Sequence, residues 1–130
     1  MALNILIVDD SAVTRAMVRK ILGMSDVPLG EVVEAGNGQE GLDALETHWV
    51  DVVLADINMP VMNGEEMIDR IRTNPVHKDL PVIVVSTEGS QTRIERLISK
   101  GVKFIHKPFN PETVREVIQE ITGILHERQA

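Results

Sequence analysis

Residues 3–24, LNILIVDDSAVTRAMVRKILGM, change hydrophobic period in mid-course, and that change decides the fold. Residues 3–8 are an apolar run, ended by Asp9-Asp10. Residues 12–24 turn to helical spacing. Ser11 is suited to N-cap this helix, and Val13, Met17, Val18, Ile21 and Leu22 are assigned to its buried face. A short apolar strand followed at once by an amphipathic helix is the opening half of a βαβ unit.

The alternation repeats outward from there. Strands are expected at 31–35, 51–55, 82–85 and 103–106, and helices at 39–47, 65–72, 92–100 and 111 to about 127. Leu42 and Leu45 mark the second helix. Gly101 stops the fourth. Pro111 suits the first turn of the fifth, whose stripe is Val114, Val117, Ile118, Ile121 and Leu125. The segment 76–80 reads as the loosest connection. Five strands alternating with five helices predict an α/β fold with a parallel sheet and right-handed crossovers. The strands are near-continuous Val/Ile/Leu runs, as expected when helices cover both faces. The expected organisation is one domain over residues 1–130.

Composition agrees. The chain has 130 residues, 43% hydrophobic and 25% charged, enough for a single core. It has no cysteine, which excludes a disulfide framework and a cysteine-ligated zinc site. The aromatic residues are Trp49, Phe104 and Phe109, so the core is aliphatic. A net charge of −7 argues against nucleic acid or an anionic membrane as the partner. MALNILIVDD carries no Lys or Arg and its apolar run ends at two aspartates, so no signal peptide is expected. No apolar stretch approaches the roughly 20 residues of a membrane span. A cytoplasmic protein is the expectation.

In an open parallel sheet, ligands bind beyond the carboxyl ends of the strands, at the switch point of strand order. Asp9 and Asp10 follow the first strand, Asp56 the third, Ser86 and Thr87 the fourth, and Lys107 the fifth. In the flavodoxin-like order 2-1-3-4-5, the first and third strands are neighbours, which brings three carboxylates together. Such charges repel unless a cation sits among them. Oxygen ligands favour Mg²⁺, with Mn²⁺ or Ca²⁺ as substitutes. A carboxylate can attack phosphorus to form an acyl phosphate, a cation and a lysine can neutralise the transferring oxygens, and a hydroxyl can hold another.

Five segments carry a family resemblance: ILIVDDSAVTRAMV (5–18), EAGNGQEGL (34–42), ADINMPVMNGEEM (55–67), LPVIVVSTE (80–88) and HKPF (106–109). The sequence resembles a response-regulator receiver domain, close to the single-domain chemotaxis (CheY-like) type. The resemblance implies a (βα)5 sandwich and a stand-alone regulator phosphorylated on Asp56 by a histidine kinase or phosphotransfer protein, with Mg²⁺ required. By the same resemblance Asp10 is a direct Mg²⁺ ligand and Asp9 acts largely through water. Asn58 offers its backbone carbonyl, Ser86 is the switch hydroxyl, and Lys107 is the site lysine, with Lys107-Pro108 cis. Phe104 is the aromatic that changes rotamer, and Gly64 is the loop glycine before the third helix. Output is expected through the face of the fourth helix, fifth strand and fifth helix, in a monomer or weak homodimer. Asn58 and Glu88 match a fast-hydrolysing pattern. The sequence departs from the family at Thr87, usually Ala or Gly, which is expected to narrow access for water. It departs also at Ile57, where no tryptophan stands, at Phe104 in place of the commoner Tyr, and in a turn before Lys107 that looks one residue short.

Blander readings exist for each residue. Asp9-Asp10 suit a helix N-terminus, Asp56 a turn, Lys107 a solvated charge, Ser86 and Thr87 caps, and Phe104 the core. The histidines at 48, 77, 106 and 126 have no ligand spacing. Gly36-Asn-Gly-Gln-Glu-Gly41 satisfies the dinucleotide-binding pattern, with Asp56 20 residues after Gly36. It follows the second strand, however, away from the switch point, and leaves Asp9, Asp10 and Lys107 without a role. Two other functions are weighed. One is an interaction module that signals without phosphorylation. The other is a small metal-dependent phosphatase using an aspartyl phosphate, whose second acid is missing from Asp56-Ile57-Asn58.

Overall fold

The computed structural model describes residues 2–87 and 89–122, and the structural statements that follow concern these. Strands β1 (Leu3–Val8), β2 (Leu29–Ala35), β3 (Val52–Ala55), β4 (Val82–Ser86) and β5 (Lys103–His106) alternate with helices α1 (Ala12–Gly23), α2 (Gly38–Thr47), α3 (Gly64–Thr73), α4 (Gln91–Ile98) and α5 (Pro111–Thr122). All strand pairs are parallel, in the order β2-β1-β3-β4-β5. The flavodoxin-like α/β architecture expected from the sequence is the one observed.

Strand alternation sorts the side chains into two cores. Leu6, Val8, Val53, Ala55, Val82 and Val84 face a layer containing Leu45 of α2, Met67, Ile68 and Ile71 of α3 and Leu97 of α4. Ile5, Ile7, Val52, Leu54, Ile83 and Val85 face Val18 and Leu22 of α1 and Val114 and Ile118 of α5. Both faces are covered, which explains why the central strands β1, β3 and β4 are almost wholly apolar, whereas the edge strands β2 and β5 carry Glu31, Glu34, Lys103 and His106.

Polar residues set the helix starts. Side-chain oxygens of Ser11, Asn37, Asn63 and Ser90 accept the N–H groups of Thr14, Glu40, Glu66 and Arg93, each satisfying a first-turn donor. Gly101, with φ +79°, ends the turn after α4 in the left-handed region that glycine tolerates.

Some expectations are corrected. Val13 and Met17 are 74% and 53% exposed rather than buried. Val13 precedes Val18 by five residues, about 140° around a helix of 3.6 residues per turn, so one face cannot hold both. The segment 76–80 is ordered by local hydrogen bonds. It is a run of turns, with His77 N–H on the Asn74 carbonyl and Leu80 N–H on the His77 carbonyl. Arg72 also donates to the carbonyls of Lys78 and Leu80. Helix α4 ends at Ile98, not Lys100, because Ser99 to Gly101 tighten into a turn. The expected continuation of the last helix to about 127, with Leu125, lies outside the described residues, as do Glu88 and His126.

Candidate functional site

The strand register builds the site. Val8 pairs with Ala55 on one side and Ala35 on the other, so β1 and β3 end level. The next residues, Asp9 and Asp56, therefore leave the sheet side by side. Asp56 N–H donates to the Val8 carbonyl at 3.0 Å, and Asp9 N–H to the Ala35 carbonyl at 3.0 Å. Asp9, Asp10 and Asp56 each offer a carboxylate oxygen within 4.8 Å of the other two. At the other side Ser86 pairs with His106, and Lys107 N–H donates to the Ser86 carbonyl at 2.9 Å. That brings Ser86 and Lys107 to the same end of the sheet.

Asp9 is buried, Asp56 half-buried and Asp10 exposed. Lys107 Nζ lies 3.6 Å from Asp9 Oδ2 and 3.9 Å from Asp56 Oδ2, facing both acids. Burial pushes the Asp9 carboxyl above its usual range. The Ser11 N–H and Lys107 oppose this, while Asp56 and Asp10 add to the rise. Asp56 Oδ1 accepts the N–H of Ile57 at 2.7 Å. Three convergent oxygen donors of one like-charged cluster, running from buried Asp9 to exposed Asp10, suit a small hard divalent cation.

Ser86 is buried at the end of β4, and Thr87 beside it is exposed. Asn58 is exposed two residues beyond Asp56. Phe104 is half-buried against the α2–α3–α4 core, its ring 4.7 Å from that of exposed His106. The Lys107-Pro108 bond is cis, as the resemblance implies. Trp49 is 78% exposed, and its indole N–H donates to Asp51.

The glycines of the dinucleotide-like pattern have packing roles. A Cβ on Gly38 would lie 2.7 Å from the Met62 carbonyl, and one on Gly41 would lie 2.9 Å from Met67 Sδ. They let α2 approach α3 and the loop after β3. Gly64 is tighter still, since a Cβ there would lie 2.2 Å from the Asp56 carbonyl. Helix α3 thereby starts directly against the Asp56 backbone.

Sequence reasoning missed Arg15. From the first turn of α1 its Nη1 donates to the Asp9 carbonyl, while its Nε donates to Glu34 of β2 at 3.0 Å. Arg19, one turn on, donates to the same carboxylate at 3.0 Å. The available signal was a pair of arginines four apart on α1, next in sequence to an acidic edge strand.

The family model for the response regulator receiver domain matches residues 5–119. A chemotaxis protein CheY homolog of Campylobacter jejuni is 33% identical over 93% of this chain and 93% of its own. The chemotaxis protein CheY1 of Helicobacter pylori is 31% identical over 93% and 98%. Among solved structures, the chemotaxis response regulator CheY4 of Vibrio cholerae superposes with a TM-score of 0.80 at 33% identity, covering 93% of this chain and 99% of that one. The acidic cluster at the switch point, the opposing lysine and these matches lead to one conclusion: the chain belongs to the response-regulator receiver-domain family.

Proposed function

We propose that residues 1–130 form one receiver domain that accepts a phosphoryl group on Asp56 from the phosphohistidine of a histidine kinase or phosphotransfer protein. One observation carries this reading: three carboxylates converge within 4.8 Å at the end of the sheet, with Lys107 Nζ within 4 Å of two of them. A charge cluster of this kind is costly without a chemical purpose.

Asp9, Asp10 and Asp56 would hold Mg²⁺, with the Asn58 backbone carbonyl as a further oxygen and Mn²⁺ or Ca²⁺ as substitutes. Bound there, the ion supplies positive charge against the transferring phosphoryl oxygens. An Asp56 carboxylate oxygen attacks phosphorus, the P–N bond to the donor histidine breaks as the P–O bond forms, and the imidazole leaves with its electron pair. Lys107 faces the added negative charge, and the Ser86 hydroxyl donates to a phosphoryl oxygen. Thr87, next to Ser86, would narrow the approach of water and so act against the fast-hydrolysing pattern that Asn58 and Glu88 match. The domain catalyses only its own phosphorylation and dephosphorylation.

The new charge draws Ser86 and Lys107 inward, and Phe104 with the α4–β5–α5 face shifts between two packings. Partner affinity and phosphorylation are then reciprocally linked. The pathway proposed is chemotaxis, because the relatives named above, matched over nearly their whole length, bear that name. The proposed site of action is the cytoplasm, and no described helix is long and apolar enough to cross a membrane.

The test is the intact mass of the protein after incubation with acetyl phosphate, with and without Mg²⁺, beside Asp56→Asn. One phosphoryl increment requiring both Mg²⁺ and Asp56 is expected. If neither acetyl phosphate nor the phosphoryl mimic beryllofluoride binds, the phosphorylation-independent module replaces this reading.

A further inference from the structure

We propose that Arg15 is a positioning residue for the divalent cation: braced by Glu34, it clamps the Asp9 carbonyl and so fixes Asp10 relative to Asp9 and Asp56. The inference rests on the reading of the acidic cluster as a Mg²⁺ site.

Asp9 is fixed at three points. Its N–H donates to the Ala35 carbonyl, its Oδ1 accepts the Ser11 N–H at 2.9 Å, and its carbonyl accepts Arg15 Nη1. The third contact holds the peptide that joins Asp9 to Asp10. Asp9 is buried by the sheet and its neighbours, whereas Asp10 is exposed. Rotation of that one peptide would swing the Asp10 carboxylate away from the other two, so the contact that stops the rotation governs the ligand set.

Arg15 is itself held from the neighbouring strand. Its Nε lies 3.0 Å from Glu34 Oε1, and its side chain is only 20% exposed. Arg19 grips the other oxygen of Glu34 at 2.8 Å and donates to the Val32 carbonyl at 3.0 Å. Hydrogen bonds from Arg19 and Arg15 keep Glu34 below its usual range, so it stays ionised. The two edges of this brace, β2 and α1, are both packed against β1, so the clamp is anchored to the sheet that carries Asp9.

Charge alone predicts the opposite effect. A guanidinium beside a cation site repels the cation, and removing it should tighten Mg²⁺ binding. Positioning predicts that removing it weakens binding. Glu34, paired with Arg15, offsets the repulsion while leaving the clamp in place.

The experiment is Mg²⁺ calorimetry on the metal-free full chain at constant ionic strength, with thermal denaturation in parallel. Arg15→Met should weaken Mg²⁺ binding by about tenfold, the low end of what loss of an outer-shell partner costs a metal site. Arg15→Lys keeps the charge but cannot bridge Glu34 and the Asp9 carbonyl together, so it should also weaken binding. Arg19→Met removes a nearby charge without touching Asp9 and should leave binding unchanged or tighter. Arg15→Met binding Mg²⁺ as tightly as the unaltered protein, or more tightly, overturns the proposal. So does wild-type affinity in Arg15→Lys, which carries the test if Arg15→Met does not fold. Failure of the unaltered protein to bind Mg²⁺ overturns both the clamp and the cation reading beneath it, whereas normal binding with silent variants overturns the clamp alone.

Discussion

Asp9 is 5% exposed, with its carboxyl held above the usual range by burial and by the nearby Asp56 and Asp10. The folded state of the metal-free protein therefore binds this proton more readily than the unfolded chain does. Stability from this group is full below the ordinary value of 3.8 and is lost as pH rises through the raised folded value. Asp9→Asn imitates the neutral form and can still accept the Ser11 N–H. In the absence of Mg²⁺ it should be more stable than the parent at pH 7, by about 1 kcal/mol, the scale of one close carboxylate repulsion at high dielectric. Urea denaturation at pH 7 and pH 4 should show that gap narrowing at the lower pH, and excess Mg²⁺ should reverse its sign by stabilising only the parent. A second residue-scale strain lies at Val61, which has φ +66° and is 83% exposed. Met62 N–H donates to the Pro60 carbonyl at 2.7 Å, closing a γ-turn of the rarer positive-φ kind around it. A β-branched residue is an outlier at positive φ, where Asn is several-fold enriched. Val61→Asn should raise stability by about 1 kcal/mol; an unchanged or lower denaturation midpoint would show that the turn costs valine nothing.

Between elements, the determining contacts come from long side chains that cross from one helix to another connection. Arg72, in the last turn of α3, donates to the carbonyls of Lys78 and Leu80 in the α3–β4 connection and to those of Lys100 and Gly101 in the α4–β5 turn. Burial pulls its guanidinium below the ordinary arginine range, and Asp79 opposes this. Arg72→Met leaves carbonyls without a charged donor and should cost about 2–3 kcal/mol. Arg72→Lys should recover little, because an ammonium cannot fork over four acceptors. Denaturant titration of the two variants checks this, and full recovery by lysine would assign the effect to charge alone. Helix α3 is also joined to α4 by Arg96 on Glu65, at 2.6 and 2.8 Å, and to the turn after α4 by Lys100 on Asp69 at 2.6 Å. The strands and helices themselves were legible, because short apolar runs and a period of 3.6 are properties of neighbouring residues. The candidate site was legible for a related reason: Asp9, Asp10, Asp56, Ser86 and Lys107 all stand at strand ends, which parallel topology brings to one edge. Arg15 and Arg72 were not legible. The acceptors that matter, the Asp9 carbonyl for Arg15 and four carbonyls for Arg72, are backbone groups that every residue offers, so no residue type marks them; only Glu34, the other partner of Arg15, left a trace in the sequence. The exposure of Val13 and Met17 was misjudged because an apolar side chain on a helix reports its angle only relative to neighbours already known to be buried.

At the scale of the molecule, one sheet separates two cores that do not touch except through its strands. Ile68 of α3 sits in one and Ile118 of α5 in the other, both fully buried. Alternate residues of the same strands line the two layers, so losing either layer exposes one face of every central strand. A sheet of four- to seven-residue strands cannot remain paired with one face bare, since its apolar surface would then contact water along its whole width. The two cores should therefore unfold together, although the contacts within each are independent. Ile68→Ala and Ile118→Ala should each cost about 2–5 kcal/mol, the range for a large-to-small change in a packed core. The double variant should cost nearly the sum, because the sites share no packing partner. Each variant should keep a single transition with coincident circular-dichroism and Trp49 fluorescence midpoints in urea. Two separated transitions in either single variant would mean that one helix layer survives without the other. The site would then sit on a sheet that loses one cover before the other, and Asp9 and Lys107 would part before global unfolding.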